Sequence, residues 1–110
     1  MTPAKETKFR NKATTLDGID FASAKEARRY RDLKLLVRAG EIGEVTVHPV
    51  FPIDVCGSRI CKYIGDFAYK LPDGTQVVED VKSAHTRKLP VYRLKYKLMK
   101  AVHGITIREV

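Results

Sequence analysis

The chain has 110 residues, 44% of them hydrophobic, and carries a formal net charge of +8 with an isoelectric point near 9.7. That length suits one domain with a single core, and the hydrophobic content excludes wholesale disorder. No apolar run approaches the roughly 20 residues that span a bilayer, and the N-terminus, Met1–Glu6, has no apolar segment typical of a signal peptide. We therefore expect a soluble, cytoplasmic protein with no membrane association.

The positive charge is concentrated toward the C-terminus. From residue 81 onward a single acid, Glu109, is outnumbered by Lys82, Arg87, Lys88, Arg93, Lys95, Lys97, Lys100 and Arg108. A small, strongly basic domain most often binds a polyanion, which favours nucleic acid as the partner. A generic solvated surface is the alternative.

The N-terminal region predicts an arm followed by a hairpin. Residues 1–12 are polar and basic, which is typical of a flexible arm that either contacts phosphates or has no specific role. Asp17-Gly18 stands between the strand-like segments 13–16 and 19–22. This dipeptide favours a tight turn, so we expect a short β-hairpin there.

The first helix is predicted to begin after Ser23. Ser23 and Glu26 have the spacing of a capping box, and Gly40 is a typical C-terminal stop. Its apolar stripe consists of Ala27, Tyr30, Leu33, Leu36 and Val37. Glu26 lies beside that stripe. The remaining faces carry Arg28, Arg29, Arg31, Lys34 and Arg38.

Three strands are predicted to follow the helix. The first, 44–55, is interrupted by Pro49 and Pro52, which indicates an edge strand or a bulge. The second covers 59–71 and the third 76–83, with a turn at 72–75 between them. Because side chains alternate along a strand, Asp80 and Lys82 share one face of the third strand and Glu79 points to the other.

A second helix and a last strand complete the predicted order. Pro90 suits the first helical turn, Gly104 ends the helix, and 105–110 alternates as a strand does. The helix has an apolar stripe of Val91, Leu94, Leu98, Ala101 and Val102, with Tyr92 and Tyr96 expected at the edge of the core. After the N-terminal hairpin the order is αβββαβ, a single-domain mixed β-sheet of the α/β class with helices packed on it. The segments 85–88 and the second helix supply the predicted nucleic-acid contacts: Arg87, Lys88, Arg93, Lys97 and Lys100.

Charged residues interrupt the apolar strands and indicate a site. A charge in a core strand is costly unless it is paired or binds a metal. Metal-dependent hydrolysis of phosphodiesters uses carboxylates to hold Mg²⁺ and a nearby lysine to orient the attacking water. Asp66, Asp80 and Lys82 supply that set, and Glu26 is a further ligand or only a helix cap. An ion pair between Asp80 and Lys82 is the structural alternative.

Other candidate residues are weaker. Glu79 is expected to be a structural acid, or an acid that contacts the metal ligands without binding the metal itself. Cys56 and Cys61 are expected to be buried or half-buried thiols on a hairpin, with a cross-strand disulfide as a minor alternative. His48 and His85 lack the spacing of zinc ligands. His85 is expected to be a loop histidine with no role, and its joining the site is the alternative.

Three motifs resemble those of the PD-(D/E)XK nuclease superfamily: Glu26 in the helical segment 23–30, Asp66 in Tyr63–Phe67, and Asp80-Val81-Lys82-Ser83. Gly65 stands where that superfamily often has a proline. The resemblance covers residues 23–110 and implies a restriction-endonuclease-like, nuclease-like domain over 13–110. It also implies Mg²⁺- or Mn²⁺-dependent DNA cleavage, with Asp66 and Asp80 as metal ligands, Lys82 as the catalytic lysine and Glu26 as the acid of the first helix.

More narrowly, the segments 8–12, 17–19, 78–82 and 104–110 resemble a small phage and prophage family of unknown function (DUF1064-like). This implies a phage or prophage protein acting in the bacterial host cytoplasm. Junction-resolving nucleases of this size suggest branched DNA, such as a Holliday junction, cut by a homodimer. The alternatives are a non-catalytic nucleic-acid-binding module of phage replication or recombination, and a protein-interaction subunit.

Overall fold

A computed structural model describes residues 13–110, so the predicted N-terminal arm lies outside the described residues. Two α-helices and eight short strands alternate along this part of the chain. In order they are β1 (Thr14–Leu16), β2 (Ile19–Phe21), α1 (Ala24–Arg38), β3 (Thr46–Val47), β4 (Val50–Val55), β5 (Ser58–Ile64), β6 (Phe67–Lys70), β7 (Gln76–Asp80), α2 (Pro90–Leu98) and β8 (Arg108–Glu109). A 3₁₀ turn, Thr86–Lys88, precedes α2, and a π-helical turn, Met99–His103, extends it.

The N-terminal hairpin and α1 form as predicted. β1 and β2 pair antiparallel across Asp17 and Gly18, whose φ angles of +56° and +75° are those of the tight turn that Asp-Gly favours. The N–H of Glu26 donates to Ser23 Oγ at 3.2 Å, which caps α1. The predicted stripe of α1 is buried at Ala27, Tyr30 and Leu33.

The strands predicted over 44–55 and 59–71 form one long hairpin that is bent in the middle. β4 pairs with β5 in one sheet, whereas β3 pairs with β6 in another. At the bend the N–H of His48 donates to the Asp66 carbonyl and the N–H of Gly65 to the Pro49 carbonyl, both at 3.0 Å. The prediction of a continuous strand over 59–71 is therefore wrong. The strand is interrupted at Gly65-Asp66 because its partner bends at His48-Pro49, where the proline has no N–H to donate.

The far end of this hairpin carries both cysteines. Cys56 lies in the β4–β5 turn with φ of +51°, and Cys61 lies in β5. Both thiols are free. The predicted location on a hairpin is confirmed, and Cys61 is half-buried as expected, but the prediction of burial is wrong for Cys56, which is exposed at the turn.

The central sheet has the strand order β3–β6–β7–β8, in which only β7 and β8 run parallel. The core beside α1 contains Phe21, Tyr30, Leu33, Phe67 and Tyr69, and the core beside α2 contains Ile53, Tyr63, Val78, Tyr92 and Met99. With the bent hairpin counted as two strands, the order after β2 is the predicted αβββαβ. The third and last predicted strands are shorter than expected, ending at Asp80 and covering only Arg108–Glu109.

The buried face of the second helix is not the apolar stripe that was predicted from the sequence. Tyr92 and Met99 are buried, whereas Val91 and Leu94 are 66% and 57% exposed. Tyr92 and Met99 fill the core instead, and the Tyr92 hydroxyl donates to Glu109 Oε2 at 2.6 Å, so its polar end is satisfied. The stripe read from the sequence thus lies largely on the surface. Over the described residues, neither helix has the length and apolar content to cross a membrane.

Candidate metal centre

Three of the predicted site residues lie where the central sheet ends. Asp66 stands at the bend between β5 and β6, Asp80 is the last residue of β7, and Lys82 follows it. Lys82 Nζ lies 3.4 Å from Asp80 Oδ1. The N–H of Val81 donates to Asp66 Oδ2 at 2.6 Å, and this contact fixes the Asp66 carboxylate beside the end of β7.

Asp80 is buried and shares its surroundings with Asp66. Burial raises the pKa of Asp80 to about 7, and Asp66 adds to that shift, although the hydroxyl of Tyr63, which donates to Asp80 Oδ2, opposes it. Burial also raises the pKa of Asp66. Two carboxylates in one partly dehydrated site disfavour the doubly ionised form unless a cation lies near them. With Glu26, which faces the same site, the ionised carboxylates carry three negative charges. Lys82 supplies one positive charge, so a divalent cation would balance the remaining two.

Glu26 faces the same site from the first turn of α1. Burial raises the pKa of its carboxyl group, and the nearby Asp80 contributes in the same direction, while His48, Lys82 and the N–H of Ala22 oppose the shift. The main-chain N–H of Glu26 bonds Ser23 Oγ in the helix cap, and its carboxylate interacts with the N–H of Ala22 at the start of α1. A carboxylate has several acceptor positions, so this contact is compatible both with a role in the cap and with a role in the site.

His48 belongs to this cluster, and sequence reasoning missed it. Ligand atoms of Glu26, His48 and Asp66 lie within 4.8 Å of one another. His48 has φ of +53°, an uncommon backbone conformation for a residue other than glycine. A histidine directly before Pro49 at a strand break was the only signal. Nothing in its spacing connects it to Asp66, because the contact depends on pairing across the bend.

The donor set fits a hard or borderline divalent metal. The group whose ligand atoms lie within 4.8 Å of one another is Glu26, His48 and Asp66, and Asp80 adjoins Asp66 without belonging to that group. The carboxylates suit Mg²⁺ and Mn²⁺, and the imidazole of His48 favours Mn²⁺ over Mg²⁺. Burial is the main cause of the raised pKa values of Asp66 and Asp80, and neighbouring carboxylates add to them. A bound cation would lower both pKa values.

Glu79 lies on the opposite face of β7 and is already neutralised. Its oxygens accept hydrogen bonds from Arg29 Nε at 2.8 Å and Nη2 at 2.7 Å, and a further one from the Tyr69 hydroxyl. Burial alone would raise the pKa of Glu79, but the bonds from Arg29 and Tyr69 outweigh it and lower the pKa. The sequence predicted that Glu79 points to the opposite face from Asp80. It did not predict the contact with Arg29, which was assigned to the outer faces of α1.

Two grooves lead to the site and both include Lys82. The larger, about 750 Å³, lies between the start of α1 and the segment after β7, and its lining includes Glu26 and His85. The smaller, about 400 Å³, lies between β5 and α2, and its lining includes Asp80. An extended ligand can therefore approach the acidic cluster from two sides.

The residues predicted to contact nucleic acid are all exposed and lie after the site in the sequence. They are Arg87, Lys88, Arg93, Lys97 and Lys100. Arg87 Nε lies 3.7 Å from Glu109 Oε1, and the guanidinium of Arg93 lies 5.2 Å from the centre of the Tyr96 ring. These contacts leave the surface predominantly cationic.

Comparison with known proteins identifies the family. The model of the family described as "Protein of unknown function (DUF1064)" matches residues 6–106. The chain belongs to the DUF1064 family. No match was found among curated proteins or among solved structures. Since the description of DUF1064 names no activity, the function of this member has to be inferred from its site.

Proposed function

We propose that this DUF1064 protein is a metal-dependent DNA endonuclease of the PD-(D/E)XK type, with a restriction-endonuclease-like core. The observation that carries the proposal is the meeting of Asp66, Asp80 and Lys82 beside Glu26, with both aspartates in surroundings that disfavour their ionised forms. The element order of helix, bent hairpin, strand, helix and parallel strand supports the same type.

Asp66 and Asp80, with Glu26, would hold Mg²⁺ or Mn²⁺, and His48 would be a further ligand. When bound, such a metal offsets phosphate charge and lowers the pKa of a coordinated water. Asp80 positions the Lys82 amine, which also lies 4.5 Å from the centre of the Tyr92 ring. That amine is suited to orient the attacking water and to stabilise charge that develops on the phosphate.

The cationic surface next to the site would bind the DNA backbone. Arg87 and Lys88 lie on the 3₁₀ turn that follows the larger groove, and Arg93, Lys97 and Lys100 lie on α2 and its extension. Contacts of this kind position a duplex without reading its sequence, and they make binding strongly salt-dependent.

A small chain has little surface for reading bases, so recognition of DNA shape is the more natural mode. We propose branched DNA, including the Holliday junction, as the substrate class, in the setting of a phage or prophage and the cytoplasm of its host. A homodimer would place two sites on a symmetric junction.

The second candidate is a non-catalytic nucleic-acid-binding module of phage replication or recombination. One observation favours it: among the described residues, no buried side-chain nitrogen or oxygen lacks a hydrogen-bond partner. In that case Asp80 and Lys82 would be a structural ion pair, and the same cationic surface would bind DNA.

A cleavage panel separates the two candidates. Four-way junction, flap, nicked, linear and single-stranded DNA are incubated with wild type, Asp80→Asn and the exposed control Asp32→Asn, in Mg²⁺, Mn²⁺ or EDTA. The nuclease proposal expects metal-dependent products from wild type and the control, and none from Asp80→Asn, which still binds. Salt-dependent binding without cleavage of any substrate would refute it and favour the module.

A further inference from the structure

The exposed apolar side chains of the described residues are concentrated around α2 and the β4–β5 hairpin. Eight of the nine large ones are in these two regions: Val50, Val55, Ile60, Ile64, Leu89, Val91, Leu94 and Val102. Leu35 on α1 is the exception. Single exposed apolar residues are ordinary, but a concentration of them marks a binding surface.

Part of this surface forms the smaller groove beside the candidate metal centre. Its apolar wall consists of Ile64, Leu89, Val91 and part of Tyr92, and its lysines are Lys62, Lys82 and Lys95. Asp80 lies in the same lining. A volume of about 400 Å³ is in the range of small-ligand sites, so the groove suits a single flat apolar group more than a helix or a strand.

Charge decides between the possible occupants. From Pro90 to His103 the chain carries four cationic residues, Arg93, Lys95, Lys97 and Lys100, and no acid. Two copies meeting through this face would juxtapose the same cations, because a two-fold interface pairs a surface with itself. A polyanion meets them favourably, and a nucleotide combines phosphate charge with an apolar base.

We propose that the groove between β5 and α2 binds one unpaired nucleotide of the nucleic-acid substrate, with its base against Ile64, Leu89 and Val91 and its phosphates at Lys62 and Lys95. In a duplex the base faces are stacked and cannot enter such a groove. This inference rests on the proposed nuclease function. It narrows the proposed branched substrates to those with an unpaired nucleotide beside the scissile phosphate, such as a flap, and disfavours a fully paired Holliday junction.

The test measures binding without metal, so that no cleavage is required. Fluorescence anisotropy in EDTA compares a short single-stranded oligonucleotide with a duplex of the same sequence. The groove variant is Leu89→Ser with Val91→Ser, and the matched control is Leu35→Ser, which removes a similarly exposed side chain from α1. Thermal unfolding checks that both variants remain folded, as expected for changes at exposed positions.

We expect the groove variant to lose about tenfold in affinity for the single strand, a typical loss for removal of one base contact, and to keep its affinity for the duplex. The Leu35→Ser control should bind both as wild type does. Lys62→Gln with Lys95→Gln should weaken single-strand binding and reduce its dependence on salt.

Three results would overturn the proposal. They are unchanged single-strand affinity in the groove variant, an equal loss for single strand and duplex, and self-association of wild type that the groove variant abolishes. The last would assign the face to a second copy. A wild type that binds single strands through the groove but cuts no DNA would refute the nuclease and leave the nucleotide site intact.

Discussion

Glu79 and Asp80 are neighbours on β7, yet the surroundings of their carboxyl groups shift the two pKa values in opposite directions. Glu79 faces α1, where Arg29 and Tyr69 bind it and lower its pKa. Asp80 faces α2, where burial and Asp66 raise its pKa to about 7 and Lys82 lies 3.4 Å away. Strand alternation alone separates the two carboxylates. One face of the sheet therefore holds an acid whose charge is met by Arg29, whereas the other holds two neighbouring carboxylates and Lys82, which we propose bind a divalent metal.

The largest expected effect tests the Asp80 face of β7. Asp80→Asn removes a proposed metal ligand and the carboxylate that holds Lys82, so we expect metal-dependent cleavage to fall by at least about a hundredfold. Single-turnover rates with Mn²⁺ measure this. Asp32→Asn is the matched control. If Asp80→Asn kept an activity within a few-fold of wild type, Asp80 would not be a metal ligand.

The next largest effect tests the Glu79 face of β7. Arg29→Ala leaves the Glu79 carboxylate buried without its cation, so we expect the free energy of unfolding to fall by about 3–5 kcal/mol. Urea unfolding monitored by circular dichroism measures the loss. Arg28→Ala, an exposed neighbour on α1, should change stability little. A loss no greater than that of Arg28→Ala would show that the pair does not neutralise Glu79 as described.

The stability of the metal-free protein is expected to depend on pH through the carboxyl group of Asp80. Its pKa rises from 3.8 to about 7 on folding, so between these values the folded state binds more protons than the unfolded state. Stability contributed by this group is therefore fully present below pH 3.8 and is lost as the pH rises toward 7. Between pH 5 and 8, wild type should lose about 2 kcal/mol relative to Asp80→Asn. Parallel pH profiles for the two proteins would contradict the raised pKa.

The smallest expected effect concerns His48. Because imidazole suits Mn²⁺ better than Mg²⁺, His48→Ala should weaken Mn²⁺ binding about tenfold and Mg²⁺ binding less. Isothermal titration calorimetry at pH 8 measures both affinities. His85→Ala is the control, since His85 lines the larger groove outside the cluster. Equal losses for both metals, or none, would remove His48 from the ligand set.

Local patterns were sufficient for much of the fold. Asp17-Gly18 predicted the first turn, Ser23 with Glu26 predicted the start of α1, and period two predicted the separate faces of Glu79 and Asp80. Each of these depends on residues within one element, where steric and hydrogen-bonding rules act over a few positions. The candidate set Asp66, Asp80, Lys82 and Glu26 came instead from charged residues that interrupt apolar strands and from the resemblance to nuclease motifs.

What the sequence did not predict depends on contacts between distant segments. The bend that interrupts residues 59–71 is formed jointly by His48-Pro49 and Gly65-Asp66, so neither segment predicts it alone. The buried face of α2 was misassigned because Glu109, the partner that satisfies Tyr92, lies on β8. Arg29 and His48 were missed for the same reason, since their partners lie on other strands.

A crystal soaked in manganese tests the central claim, that the Asp80 face of β7 and not the Glu79 face binds a divalent metal. We predict an anomalous difference peak within coordination distance of Asp66 and Asp80, adjoined by Glu26 or His48, and no peak at Glu79. Absence of a peak between Asp66 and Asp80 at saturating Mn²⁺, or a peak at Glu79 instead, would contradict the account.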